Sequence, residues 1–180
     1  MNIFYLDEDP VVCAKLHCDK HVVKMIIEYA QLMSTAHRVL DGTEYYDKTA
    51  NGRKIKRWLL TEHENEIYKA SHVNHPSGIW TRASTENYQW LYSLWVELCK
   101  EYTYRYGKRH LTDEKLSEIL SVCPKNLPVG GLTKMPQAMP DDVKTDDSIV
   151  AYKTYYKKYK NKIARWTSRP VPEFMTCHAH

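Results

Sequence analysis

The residues best able to do chemistry lie between Leu16 and Glu28, in the run LHCDKHVVKMIIE. Read as one continuous helix, His17, His21, Lys24 and Glu28 fall at i, i+4, i+7 and i+11 and share a polar face, which Gln31 and Thr35 extend. Two imidazoles at i, i+4 can chelate zinc, and the same face can set an acid–base pair beside an amine. The alternative is a solvated face with a Lys24–Glu28 pair, although Lys before Glu is the weaker order for such a pair. A metal would need further ligands. His37, His72, His75, Cys18 and Asp19 are the candidates, but there is no HExxH, no CxxC and no third His at fixed spacing, so no metal site and no cofactor is assigned. His37 reads as a hydrogen-bonded core histidine.

A second segment, HVNHPSGIWTRASTENYQW, sets His75-Pro76 at the mouth of a helix. Trp80, Arg82, Asn87 and Tyr88 follow within three turns. Arg presents a planar fork to phosphate, and aromatic faces stack bases. The alternative places Trp80 and Trp90 in the core, with Arg82 bridging helices. In a third segment, AYKTYYKKYKNKIARW, lysines and tyrosines are interleaved, so that Lys153, Lys157, Lys160 and Arg165 could line a phosphate backbone while the tyrosines pack inward. Asn51–Trp58 is also basic, with four cations and no acid. Such stretches suit a polyanion. P-loop, Rossmann and GxSxG signatures are absent, which demotes nucleotide-triphosphate hydrolysis, dinucleotide redox chemistry and serine esterase chemistry.

The elements that must position these residues are mainly helical. The chain has 180 residues, 43% apolar and 27% charged, a composition able to build a core. Mean hydropathy is −0.61, no run approaches a membrane span, and the first ten residues are unlike a signal peptide, so a cytoplasmic protein is expected. Five cysteines without framework spacing read as reduced thiols. Residues 2–6 are a short strand or an extended arm. Asp9-Pro10 starts a helix that runs to Leu40, with a break near Cys18-Asp19, and Asp41-Gly42 closes it with Gly42 in the C′ role. Val22, Ile26, Tyr29, Ala30, Met33 and Val39 form its apolar stripe. Ile55–Ala70 is expected to contain a helix, and strand signals are weak throughout. A long helix is expected from about Gly78 to Tyr106. A shorter one, capped by Thr112 with Leu111 and Leu116 as a staple, runs to about Ser121. Residues 123–147 hold four prolines and Gly130-Gly131 and read as an ordered loop or a lid. A basic-aromatic helix from about Asp147 to Trp166 precedes an extended tail over 167–180. The fold expected is a compact single-domain helical one, spanning 1–180.

The segments MNIFYLDEDP, HCDKHVVKMIIEYAQLMSTAHRVLDG, NHPSGIWTRASTENYQWL and EYTYRYGK resemble a family of phage proteins, and through them the pyrimidine-dimer DNA glycosylases of the endonuclease V type. The phage-protein resemblance spans most of the chain. The glycosylase resemblance rests on a small basic helical chain, an early helix bearing His and charged residues, and a Tyr/Trp/Lys-rich C-terminal segment. It implies a single helical domain that acts on double-stranded DNA in a host bacterial cytoplasm. It also implies base excision by an amine nucleophile and a carboxylate, through an imine at the sugar C1′ and loss of the 3′ phosphate, on a base taken out of the stack.

The family's amine is chain-terminal, freed by removal of the initiator Met. Asn2 disfavours that removal here, so the free amine would be that of Met1. The family's acid falls at Lys24, one turn before Glu28. Two amines, Met1 and Lys24, are therefore candidates beside Glu28. Neighbouring Lys20 and a desolvating pocket would help to deprotonate Lys24.

The reading that follows is a DNA glycosylase with lyase activity on damaged or modified pyrimidines. Lys24, Glu28, His21, His17 and His75 would be catalytic, and Lys20, Arg82, Trp80, Asn87, Tyr88, Lys153, Lys157, Lys160 and Arg165 would contact DNA. Two alternatives belong to other classes. One is a hydrolase or transferase of a nucleotide or base, with histidines as metal ligands or bases and 123–147 as lid. The other is a non-catalytic nucleic-acid-binding module.

Overall fold

A computed structural model describes residues 1–176. The N-terminal arm over 1–6 is extended but pairs with no strand, and it is buried, with Ile3 and Leu6 fully covered. Asp9 caps α1 (Pro10–Leu16) by accepting from the Val11 amide, with Pro10 at the first position. The chain then turns extended at His17 and Cys18 before α2 (Asp19–Asp41). The break expected near Cys18-Asp19 is therefore present. It has a physical cause in Arg105, whose fully buried guanidinium takes the carbonyls of Lys15 and His17 together with the carboxylates of Asp19 and Glu101. These carbonyls at the end of α1 would otherwise be buried without partners.

α2 buries Val22, Ile26, Tyr29, Ala30 and Met33 of the expected stripe, while Val39 is only partly covered. Gly42 ends the helix in an extended conformation (φ −86°), not in the left-handed C′ role expected. A Cβ there would lie 2.5 Å from the Arg38 carbonyl and 2.9 Å from the Trp58 Cβ, so glycine is required by close approach.

The helix expected within Ile55–Ala70 does not form. The chain instead makes an antiparallel hairpin, β1 (Thr43–Lys48) and β2 (Lys54–Leu59), followed by irregular chain to residue 75. Arg38, 2% exposed, holds this region to α2. Its five N–H groups donate to the Trp58, Glu64, Ile67 and Tyr68 carbonyls and to the Glu64 carboxylate. A guanidinium is the one side chain with five donors in a fixed fork.

The long helix expected from Gly78 is two helices, α3 (Pro76–Thr81) and α4 (Thr85–Tyr106). Ser84 is extended and caps α4 through the Asn87 amide, which forces the break. α4 packs Leu91, Leu94, Trp95 and Leu98 against α1 and α2 and ends at Gly107 in the left-handed region (φ 71°).

α5 (Leu111–Leu120) is capped by the His110 ring, not by Thr112. Leu111 stands in solvent, so the expected staple with Leu116 is not made. Residues 123–147 form an ordered loop containing one 3₁₀ turn (Asp141–Val143), and it is strapped down rather than poised as a lid. Thr85 and Glu86 amides donate to the Pro128 and Gly130 carbonyls, and Asn87 exchanges bonds with Thr133. The last long helix, α6 (Ser148–Tyr159), stops seven residues before Trp166. Residues 167–172 are irregular, and α7 (Glu173–Thr176) replaces part of the expected tail. The rest of that tail, with Cys177, lies outside the described residues.

About half of the structure is helix and the only sheet described has two strands, so the fold is mainly α. Among the described residues no helix is long and apolar enough to cross a membrane. Cys13, Cys18 and Cys99 are buried free thiols.

Arg38→Met strips three segments of their buried donor and should cost about 3–5 kcal/mol in urea unfolding. Arg38→Lys, with three donors and no fork, should recover less than half of it. A wild-type midpoint in either variant would contradict this account.

Candidate functional site

The N-terminal arm brings the chain's amino group to α2. Asn2 donates to the Ala138 carbonyl in the strapped loop at 2.7 Å, Phe4 N–H donates to Tyr29 Oη, and the Phe4 ring stacks on His21 at 4.1 Å. Cys13 Sγ bonds the Phe4 carbonyl and the Leu6 amide. With residues 2–6 held this way, the Met1 ammonium sits 2.8 Å from Glu28 Oε1, the Met1 side chain 8% exposed. Glu28 Oε2 is buried and accepts from no protein donor, and the Lys24 ammonium stands 3.5 Å away. It is the only carboxylate oxygen left so among the described residues.

Glu28 is therefore beside both candidate amines, but on unequal terms. The Lys24 side chain is 62% exposed, so the desolvating pocket expected around it is not present. Lys20 is exposed as well.

The four-residue polar face is not as expected. His17 precedes α2 and is fully buried. Its Nδ1 faces the Cys13 carbonyl at 2.7 Å and must donate, so Nε2 accepts from Tyr29 Oη at 2.8 Å. Burial pushes its pKa down to about 4. His21 lies under Phe4. Tyr156 Oη accepts from the Cys18 amide and donates to His21 Nδ1. Burial, then the charges of His17, Lys160, Lys24 and Lys20, push His21 down to about 2. Both rings are neutral packing groups that hold the arm and the α1–α2 link. Because one lies off α2, they do not form an i, i+4 chelate. No group of three His, Cys, Asp or Glu side chains able to hold a metal occurs among the described residues.

His75 caps α3, its Nδ1 accepting from the Ser77 amide. Burial, then the charges of the Met1 ammonium and His72, lower its pKa.

The proposed DNA contacts of the second segment are mostly interior. Trp80, Asn87 and Tyr88 are buried. The Trp80 indole donates to the Thr133 carbonyl, Asn87 holds the loop, and Tyr88 Oη donates to the Leu120 carbonyl, beside His37 Nε2 at 2.9 Å. Arg82 donates to the Val73 carbonyl, and burial lowers its pKa. Trp80, Asn87 and Tyr88 hold the 72–88 region together and offer no free stacking face, while Arg82 keeps one buried nitrogen, Nη1, without a protein partner.

On α6, Tyr152 and Tyr156 pack inward as expected. Lys153 lies over Phe174 and Lys160 over Tyr155, while Lys157 is half-buried and Arg165 exposed. Lys153 and Lys157 line a groove with Leu16, Val150 and Phe174.

A cleft of about 560 Å³ lies elsewhere, between the end of α2, the 60–67 segment and α5. Within it, Asp41 accepts from Lys125 and Asn126, and His37 is bonded to Tyr88. It shares no residue with the Met1–Glu28 pair. Sequence reasoning named Met1 and Glu28, but their pairing spans 27 positions and depends on the buried arm.

No family model, no curated protein and no solved structure matches this chain.

Neutral His17 and His21 make the fold acid-sensitive above the carboxylate range. Their folded pKa values lie below the ordinary 6.5, so the unfolded chain binds more protons. Stability is full above about pH 6.5 and is lost as pH falls toward the folded values. His17 alone should cost roughly 2 kcal/mol between pH 7.5 and pH 5. Thermal melts across that range should show a falling Tm, and a flat Tm would refute the assignment.

Proposed function

We propose that the protein is a DNA-acting enzyme, a DNA glycosylase with lyase activity, and that its nucleophile is the α-amino group of Met1. The observation that supports the reading is the amine held 2.8 Å from Glu28, both groups largely covered, with the second Glu28 oxygen unoccupied beside it. A nucleophilic amine must lose its proton, and a carboxylate within hydrogen-bond reach is the group that takes it. Geometry favours Met1 over Lys24 as nucleophile: the Met1 amine lies 2.8 Å from Glu28 and its side chain is covered, while Lys24 stands 3.5 Å away with its side chain mostly in solvent.

In this reading the Met1 nitrogen attacks C1′ of a flipped nucleotide. The N–C1′ bond forms as the C1′–base bond breaks, and the base leaves with the electron pair and takes a proton. The sugar ring opens, O4′ is protonated and the imine forms. Glu28 then removes a C2′ proton, and the C3′–O bond breaks to release the 3′ phosphate. Lys24, beside Glu28 and in solvent, is suited to a phosphate contact.

Borohydride trapping on duplexes carrying an abasic site, a cyclobutane thymine dimer or hydroxymethylated pyrimidines tests this. A covalent adduct on the peptide that begins at Met1 is expected. Lys24→Ala should keep it. Glu28→Gln should reduce the trapping rate about 100-fold or more. A one-residue N-terminal extension, which moves the amine by about 3.8 Å, should abolish it. No adduct on any duplex, or an adduct that maps to Lys24, would overturn the assignment.

A further inference from the structure

The β1–β2 hairpin is the least buried regular element of the fold, and the candidate site makes no use of it. Every residue of β1 is exposed. The base is anchored: Trp58 is buried, its carbonyl takes Arg38, and Arg57 donates to the Ala70 carbonyl at 2.9 Å. Beyond that anchor the ribbon stands in water. Directly opposed residues share a face, so Lys48, Lys54, Tyr46 and Lys56 form one surface in two successive rungs, Lys48↔Lys54 and Tyr46↔Lys56. Lys54 Nζ lies 4.1 Å from the centre of the Tyr46 ring, and Glu44, 3.2 Å from Lys56, is the acid paired with this cluster. Arg53 adds a further cation at the turn.

Two features of the ribbon are unfavourable for folding alone. Two lysines stand directly opposite each other, an arrangement that destabilises a strand pair. An exposed two-stranded ribbon is also marginally stable in water. A polyanion laid along the ribbon relieves the repulsion. Dimensions select the kind of polyanion. Six residues per strand give a ribbon about 20 Å long, with its strands about 5 Å apart. The major groove of B-form DNA, about 12 Å wide, admits a two-stranded ribbon. The deep, narrow major groove of A-form RNA does not.

We infer that the hairpin is a DNA-binding arm, inserted in the major groove of B-form duplex with Lys48, Lys54 and Lys56 on backbone phosphates. The assignment takes its partner from the DNA-acting reading above, but it requires no lyase chemistry.

The test is fluorescence anisotropy with an undamaged DNA duplex of about 25 bp, titrated at several salt concentrations. K48Q/K54Q/K56Q should bind at least about 10-fold more weakly at about 50 mM salt, and the slope of log K against log salt should become shallower by about 2–3, near 0.9 for each phosphate no longer neutralised. Its thermal midpoint should match or exceed that of the wild type, since the opposed lysines are gone. An A-form RNA duplex of equal length should bind the wild-type protein more weakly. The arm is refuted if the triple variant keeps wild-type affinity and slope, if the wild type does not bind the duplex, or if only a Lys153/Lys157/Lys160 variant changes the slope. Equal affinity for the RNA duplex refutes the groove placement. Failed imine trapping with intact duplex binding removes the lyase chemistry and leaves the arm in place. Trapping with an unchanged triple variant does the reverse.

Discussion

The fold depends on satisfying buried carbonyls in the half of the chain that is not helical. Irregular backbone cannot be buried without donors, and unpaired groups cost on the order of 1–3 kcal/mol each. Two guanidiniums supply six of these bonds. Arg38 gathers the backbone from Trp58 to Tyr68 onto α2, and Arg105 gathers the α1–α2 link onto α4. The carboxylates that accompany them are held in the charged form. Burial by itself would raise Glu101, but hydrogen bonds from Arg169 and the charge and hydrogen bonds of Arg105 outweigh it and lower its pKa. At Glu64, likewise, the Leu60 amide and then Arg38 outweigh desolvation. Arg105 thereby sets where α2 begins, and Arg38 fixes what its C-terminal half carries.

Once α2 is placed, the N-terminal arm has one course open to it. Ile3 and Leu6 must be buried, and Phe4 must lie on His21 while its amide meets Tyr29. Neutral His17 completes the clamp by accepting from Tyr29 while donating to Cys13. The imidazoles that looked reactive in the sequence are thus the parts that aim the arm. The amine they deliver to Glu28 belongs to a residue with no chemistry of its own in its side chain.

How much was legible follows from the range of each interaction. The Asp9-Pro10 start, the break before Asp19 and the end of the long helix at Tyr106 are local and were readable. The α3–α4 break was also marked, by Ser84 three residues before Asn87, but Trp80 and Leu91 continue the helical period across it and hid the cap. The hairpin carried no signal because it buries almost nothing. TEYYDK and KIKRWL lack the apolar–polar alternation of a half-buried strand, since polar residues occupy both faces. Burial of Trp80, Asn87 and Tyr88 was set by the 123–147 loop and the end of α5 lying across them, between positions 32 to 53 apart in the chain. Nothing local in the sequence distinguishes Arg38, buried and bonded to four carbonyls, from exposed Lys24.

The degree of saturation separates the charges that hold the fold from those free to act. Arg38 and Arg105 use their donors on several partners each, and both Glu101 oxygens are taken by guanidiniums. Asp19 binds Arg105 and Thr167 with both oxygens. A carboxylate so engaged cannot accept a proton without breaking the structure around it. Glu28 is built differently. One oxygen holds the Met1 amine, and the other is covered and accepts no hydrogen bond, with a single solvent-exposed lysine beside it. Leaving a buried acceptor open costs stability and returns nothing to the fold. Capacity left free next to an amine is what an acid–base step requires, and among the described residues Glu28 Oε2 is the one buried carboxylate oxygen left open.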